Sequence, residues 1–198
     1  MKEIIEKWLK SQIYQKITPV SVLQQDIFHE NITLKNLSGQ IQTLTLDIKE
    51  SLNIQLWHQA IQHNHNQQSV LRNTIIPSQH AFLATTYQGV LKQQDIKLNT
   101  HDWSAETLLV KNNNLDKLTQ RCCQLNQLIR HDLVQWDKNH TKLICTVHQL
   151  LMDRLSCQLF LKSILHDYHL LLNNLPLKHQ DDYFATTLLT HFDQSTSR

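Results

Sequence analysis

The sequence lacks long apolar runs, concentrated charge and disulfide spacing, and each absence closes off a class of protein. No apolar stretch approaches the ~20 residues that a membrane-spanning helix requires. The amino terminus, Met1-Lys2-Glu3-Ile4-Ile5-Glu6-Lys7-Trp8-Leu9, alternates charged with apolar residues, which is not the pattern of a secretory signal. A cytoplasmic protein without a membrane partner is therefore expected. Lys and Arg number 19 against 17 Asp and Glu, leaving +2 and no basic block. Nucleic-acid affinity depends on concentrated positive charge, so no nucleic-acid partner is expected. The four cysteines, Cys122, Cys123, Cys145 and Cys157, form no Cys-x-x-Cys and are too few for a disulfide framework. They read as free thiols; Cys122, Cys145 and Cys157 sit among apolar residues, as small buried hydrophobes do. Glycine supplies only 2 residues, and no repeat or long linker divides the chain.

What is present suits one globular domain. Hydrophobic residues make up 40% and charged residues 18% of 198, a composition that can fold. A chain of this size buries roughly 70% of its unfolded surface, enough for a core without staples. Asn and Gln together reach 37 and His reaches 13. The amides are dispersed among apolar residues, so they are not a low-complexity tract. With histidine titrating near pH ~6.5, acidification can add up to 13 positive charges.

Periodicity places the elements. Ile4, Ile5, Trp8, Leu9 and Ile13 predict an amphipathic helix over 2–16, stopped by Pro19. Val22, Leu23, Ile27 and Phe28 predict a short helix over 21–29. Alternation of Ile41, Leu44, Leu46 and Ile48 predicts a strand over 40–49. Asn53 is a candidate N-cap for a helix over 54–65, and Leu52 with Trp57 matches a hydrophobic staple. Residues 69–76 and 81–91 read as a hairpin turning at Pro77-Ser78, and 95–100 as a short strand. Ser104 is the candidate cap of a helix from 105. Beyond a break at Asn112-Asn113-Asn114, Leu115, Leu118, Cys122, Leu125 and Ile129 keep a helical stripe. Residues 131–136 and 141–148 form a second hairpin, and a helix over 156–172 starts at a Ser156 cap. The alternation of strands and helices predicts an α/β fold, a mixed sheet with helices packed on it.

The informative stretch runs Leu143-Ile144-Cys145-Thr146-Val147-His148-Gln149-Leu150-Leu151-Met152-Asp153-Arg154-Leu155-Ser156, a buried strand turning into a helix. It resembles the condensation domains of nonribosomal peptide synthetases, which carry His-His-x-x-x-Asp-Gly at this loop. Three other stretches are similar in the same order. Pro19-Val20-Ser21-Val22-Leu23-Gln24-Gln25-Asp26-Ile27-Phe28 looks like the opening Pro-Leu-Ser-x-x-Gln-x-x-x-(aromatic) motif. Val70-Leu71-Arg72-Asn73-Thr74-Ile75 looks like the Leu-Arg-Thr-x-(aromatic) strand, and Asp182-Tyr183-Phe184-Ala185 like the later tyrosine segment. The resemblance implies a single lobe of the chloramphenicol-acetyltransferase-like fold over 17–190, between an N-terminal helix over 1–16 and a tail over 191–198. It also implies an ion pair between Arg72 and Asp153; the residues themselves allow Asp153 to cap the following helix instead.

Two departures bear on function. The family's catalytic histidine is the second of the pair, and here that position is Gln149. A carboxamide exchanges no proton near neutral pH. Strand neighbours face opposite ways, so His148 should look away from Gln149. Arg154 stands at the family's glycine, where a positive φ would strain it. The family domain has two lobes, and this chain spans the first. The motif positions His148, Gln149, Asp153 and Arg154 are therefore expected to form a non-catalytic site. The expected role is binding or scaffolding in a peptide or polyketide synthase assembly line. Expected partners are a carrier protein, a complementary C-terminal lobe, a neighbouring subunit or a second copy of the chain. The rival is a half-domain acyltransferase activated by a second lobe; a third reading is a segment of a longer synthase. No cofactor and no metal are expected: His63-x-His65, and His166 and His169 near Asp167, read as solvated residues without further ligands.

Overall fold

The computed structural model describes residues 13–27, 40–76, 86–121 and 127–178. Among the described residues seven strands and three long helices follow one another: β1 (Tyr14–Pro19), β2 (Ile41–Ile48), α1 (Ile54–Gln67), β3 (Asn73–Ile76), β4 (Tyr87–Leu91), β5 (Leu98–Asp102), α2 (Leu108–Thr119), β6 (Ile129–Asp137), β7 (His140–His148) and α3 (Arg154–Leu172). Residues 22–27 add a short helical segment. The fold is α/β as expected, but the strands divide into two sheets. A small antiparallel sheet has the order β1-β4-β3, and a larger one the order β2-β7-β6-β5. In the larger sheet only β5 and β6 run parallel, which α2 permits by crossing over between them.

Strand alternation sorts the larger sheet's side chains to two faces. Ile129 and Leu133 of β6, with Leu143, Cys145 and Val147 of β7, join Trp57, Ala60 and Ile61 of α1 and Cys157, Phe160 and Ile164 of α3 in the main core. Val134 and Ile144 point the other way and pack with Leu118 of α2. Asn53 caps α1, its side chain accepting from the Gln55 and Leu56 N–H groups, and Leu52 packs on the cluster holding Trp57.

Non-local pairing overrides several local expectations. Residues 14–16 belong to strand β1, not to a helix, because their backbone pairs with β4, and Ile13 before them accepts the Lys92 N–H; residues 2–12 of the expected helix lie outside the described residues, as do Phe28, Cys122, Cys123, Leu125, the Pro77-Ser78 turn, 182–185 and 191–198. Residues Ser69–Arg72 form a 3₁₀ turn rather than the start of β3. Helix α2 starts at Leu108, and Ser104 instead donates through its N–H and Oγ to Asp102. The three asparagines do not break α2: Asn112 and Asn113 face solvent while Lys111 and Leu118 are buried, and a modest propensity cost yields to packing. Ile129 opens β6 rather than extending a helix. Helix α3 begins at Arg154, and its cap is Asp153, which accepts the N–H of Ser156.

Two arginines close helix ends. The Arg72 guanidinium donates to the carbonyls of His65 (2.6 Å) and Asn66 (2.7 Å) at the end of α1, and to Leu91 O on β4. Arg130 of β6 donates to Leu118 O and Arg121 O at the end of α2. Each satisfies carbonyls that a helix leaves without partners and places a cation at the negative end of the dipole. Gly89 of β4 is required by space: a Cβ there would lie 2.5 Å from the Tyr14 ring and 2.9 Å from Ile76.

Candidate functional site

The loop between β7 and α3 is held by burial on both sides of one exposed residue. Residues 143–148 are buried, as are Leu150, Leu151 and Met152, all three part of the main core. Gln149 alone between them is exposed. Backbone bonds fix it: Gln149 N–H donates to Gln40 O, Leu151 N–H to His148 O, and His148 N–H to Leu128 O. The Gln149 carboxamide is thus displayed from a rigid mount.

His148 is buried beneath that mount. Its Nδ1 accepts the Leu150 N–H at 3.1 Å, so in the neutral ring the proton sits on Nε2. Burial pushes its pKa down to about 4. Through Nδ1 the ring closes the turn at Leu150, and its Nε2 is buried without a hydrogen-bond partner.

The remaining motif positions lie at the exposed start of α3. Asp153 is exposed and capping; the Ser156 N–H holds its carboxyl below the usual value. Arg154 is the first residue of α3 and has no positive φ; among the described residues only Asn174 has one outside glycine. The loop therefore accommodates arginine where the family pattern has glycine. The expected Arg72–Asp153 ion pair gives way to separate engagements, Arg72 with the end of α1 and Asp153 with the start of α3. The reason is that each side chain meets orphaned helix-end groups close by. Arg72→Ala should cost roughly 1.5–3 kcal/mol and Asp153→Ala about 1 kcal/mol. The double variant should equal the sum within ~0.5 kcal/mol, since Arg72 binds the end of α1 and Asp153 the start of α3; urea titration of the four proteins checks this, and a strong coupling would restore the direct pair.

A chain of amides braces the loop from the small sheet. Gln24 Nε2 donates to Leu150 O at 3.0 Å and to Gln88 Oε1 of β4 at 3.3 Å, and Asn73 Nδ2 of β3 donates to the same Gln88 oxygen at 2.8 Å. Apolar side chains stand exposed on the elements flanking the loop: Val22 and Leu23 on the short helical segment, Leu155 and Leu159 on α3. A cavity of about 450 Å³ lies elsewhere, between α1 and β5, lined by Ile54, Gln55, His58, Gln59, Leu98 and Thr100.

The histidines expected to be solvated are not all so. His65 is fully buried, its Nε2 3.2 Å from Nε2 of His131, with Phe160 edge-on to His65. His63 donates through Nδ1 to the buried Asp167 at 2.8 Å, and Asn64 donates to the same oxygen. These pairs join α1 to β6 and α3 across the core, a separation no local pattern reveals. His166 and His169 are exposed. Among the described residues no group of three or more His, Cys, Asp or Glu could hold a metal ion, and no helix is long and apolar enough to cross a membrane.

The profile of the family described as "Condensation domain" matches residues 14–190. The starter condensation domain of rhizomide synthetase RzmA is similar in structure, with a TM-score of 0.75 at 14% identity, covering 84% of this chain and 42% of that one. A variant of that domain in a "product-released" conformation gives 0.79 at 14% identity, covering 99% and 44%. The first condensation domain of the calcium-dependent antibiotic synthetase, in complex with a substrate analogue, gives 0.70 at 13% identity, covering 83% and 42%. The chain thus spans less than half the length of these solved chains. No curated protein sequence matches it.

Proposed function

The chain belongs to the condensation-domain family, and from that membership we propose that it is a non-catalytic lobe binding a component of a peptide or polyketide synthase assembly line. The observation carrying this reading is the pairing of an exposed carboxamide, Gln149, with a buried, neutral His148 at the motif loop. General-base catalysis contributes typically 10²–10⁴-fold, and neither group supplies it. The exposed Val22, Leu23, Leu155 and Leu159 beside the loop support a surface that a partner covers. The partners this favours are a carrier domain, a complementary lobe or a neighbouring subunit.

Incubated with carrier-bound or coenzyme A-bound acyl donors and an amine or alcohol acceptor, the chain is expected to form no amide or ester. It should bind a carrier domain or synthase subunit in a direct titration. Multiple turnover that disappears in Gln149→Ala would overturn the reading. A second reading is an acyltransferase completed by a second lobe; Gln149, exposed at the motif loop, would then face that lobe. Assaying transfer after addition of a complementary lobe separates the two.

A further inference from the structure

The amide chain beside the loop has a polarity that its backbone partners dictate. Gln24 Oε1 accepts the Ser21 N–H at 3.0 Å, while the Gln24 N–H donates to Ser21 Oγ at 3.2 Å. This is a reciprocal capping box at the start of the short helical segment. A backbone N–H only donates, so the oxygen of the Gln24 amide must face Ser21. The nitrogen end meets Leu150 O, a carbonyl that only accepts. Two backbone groups, 129 positions apart, therefore fix the amide orientation from both ends, with no freedom to flip. The order then propagates: Gln88 presents its oxygen to Gln24 and also receives the Asn73 amide.

Leu150 is the residue that both braces share. Its N–H is held by His148 Nδ1 and its carbonyl by Gln24 Nε2. We propose that Gln24 is the positioning residue of the Gln149 loop, coupling the capping box of the 22–27 segment and, through Gln88 and Asn73, the small sheet to the mount that displays Gln149. Glutamine is needed because the position must accept at one end and donate at the other. Glutamate keeps the accepting end and loses the donor; lysine keeps a donor for Leu150 O and Gln88 Oε1 and loses the cap. The importance of the mount rests on the functional reading above, whereas the coupling is measurable in the free protein.

Amide hydrogen exchange on the isolated chain tests it with two variants of opposite chemistry. Gln24→Glu should speed exchange at Leu150 and Leu151 at least tenfold, leaving Cys145 and Val147 of β7 within twofold of the parent. Gln24→Lys should keep Leu150 and Leu151 within about threefold of the parent, although it lacks the capping acceptor. Equal loosening in both variants, loosening in neither, or loosening of β7 together with the loop would each overturn the assignment. A wild-type chain that binds no carrier domain or synthase subunit would defeat the functional reading while leaving this coupling in place.

Discussion

Lowering the pH from 7 to 4 should strip most of the stability from this protein, with the loss concentrated between pH 6.5 and 4. Three buried histidines are responsible. Burial pushes His131 and His148 down to about 4 and His65 well below its ordinary value. For His65 the neighbouring His131 and the Arg72 cation add to the effect; for His131 the Asp132 carboxylate opposes it. In the unfolded chain each titrates near pH 6.5, so below that the unfolded state binds protons that the folded state refuses. Stability is then complete above about 6.5 and falls until the folded values are reached. A displacement from 6.5 to about 4 corresponds to roughly 3 kcal/mol for each of His131 and His148 as an upper figure. That is a large share of the 5–15 kcal/mol that typically separates folded from unfolded chains. Carboxylates held below their usual range, such as Asp47 beside Lys142 and His140, lose their contribution only at still lower pH. Urea titrations at half-unit pH intervals measure the slope. Replacing His148 with Asn supplies an acceptor for the Leu150 N–H without a titrating ring, and should flatten the curve by about one group. A stability that stays level from pH 6.5 to 4 would show that these rings become accessible when protonated.

Removing either partner of the Arg130–Asp132 pair should cost roughly 3–5 kcal/mol. Arg130 Nε lies 2.6 Å from Asp132 Oδ2, with side chains 8% and 0% exposed. The same carboxylate faces His101 Nε2 at 3.2 Å, and the guanidinium holds Leu118 O in the last turn of α2 and Arg121 O just beyond it. Arg130→Ala strands a buried carboxylate and uncaps α2; Asp132→Ala strands a buried guanidinium. For a chain of this length each melting temperature should fall by roughly 6–20 °C. The double variant should cost less than the sum of the singles, because neither charge is then left behind. Additivity would mean that the two contribute through their other contacts. The pair lies on the α2 face of the larger sheet, with Val134 of the same strand.

Local pattern determined a good deal of this protein. Side-chain alternation located β2, because a strand with one buried face must repeat every two residues, while turn residues between apolar runs located the β6–β7 hairpin. The Asn53 cap and the Leu52–Trp57 staple marked the start of α1, since those groups act within one turn. The loss of a proton-exchanging group at Gln149 was legible from residue chemistry alone. Tertiary structure decided whatever depends on which distant segment arrives. Residues 14–16 are strand because β4 offers its backbone. Arg72 engages the end of α1 rather than Asp153 because that end lies beside it. His65 is buried because His131, 66 positions later, is delivered opposite it by β6, and the Ser21–Gln24 pair reaches the Gln149 loop only through the long-range bond from Gln24 to Leu150 O. Spacing within a segment encodes which face is apolar; it carries no record of the partner that covers that face, and burial, protonation and ion pairing all follow from the partner.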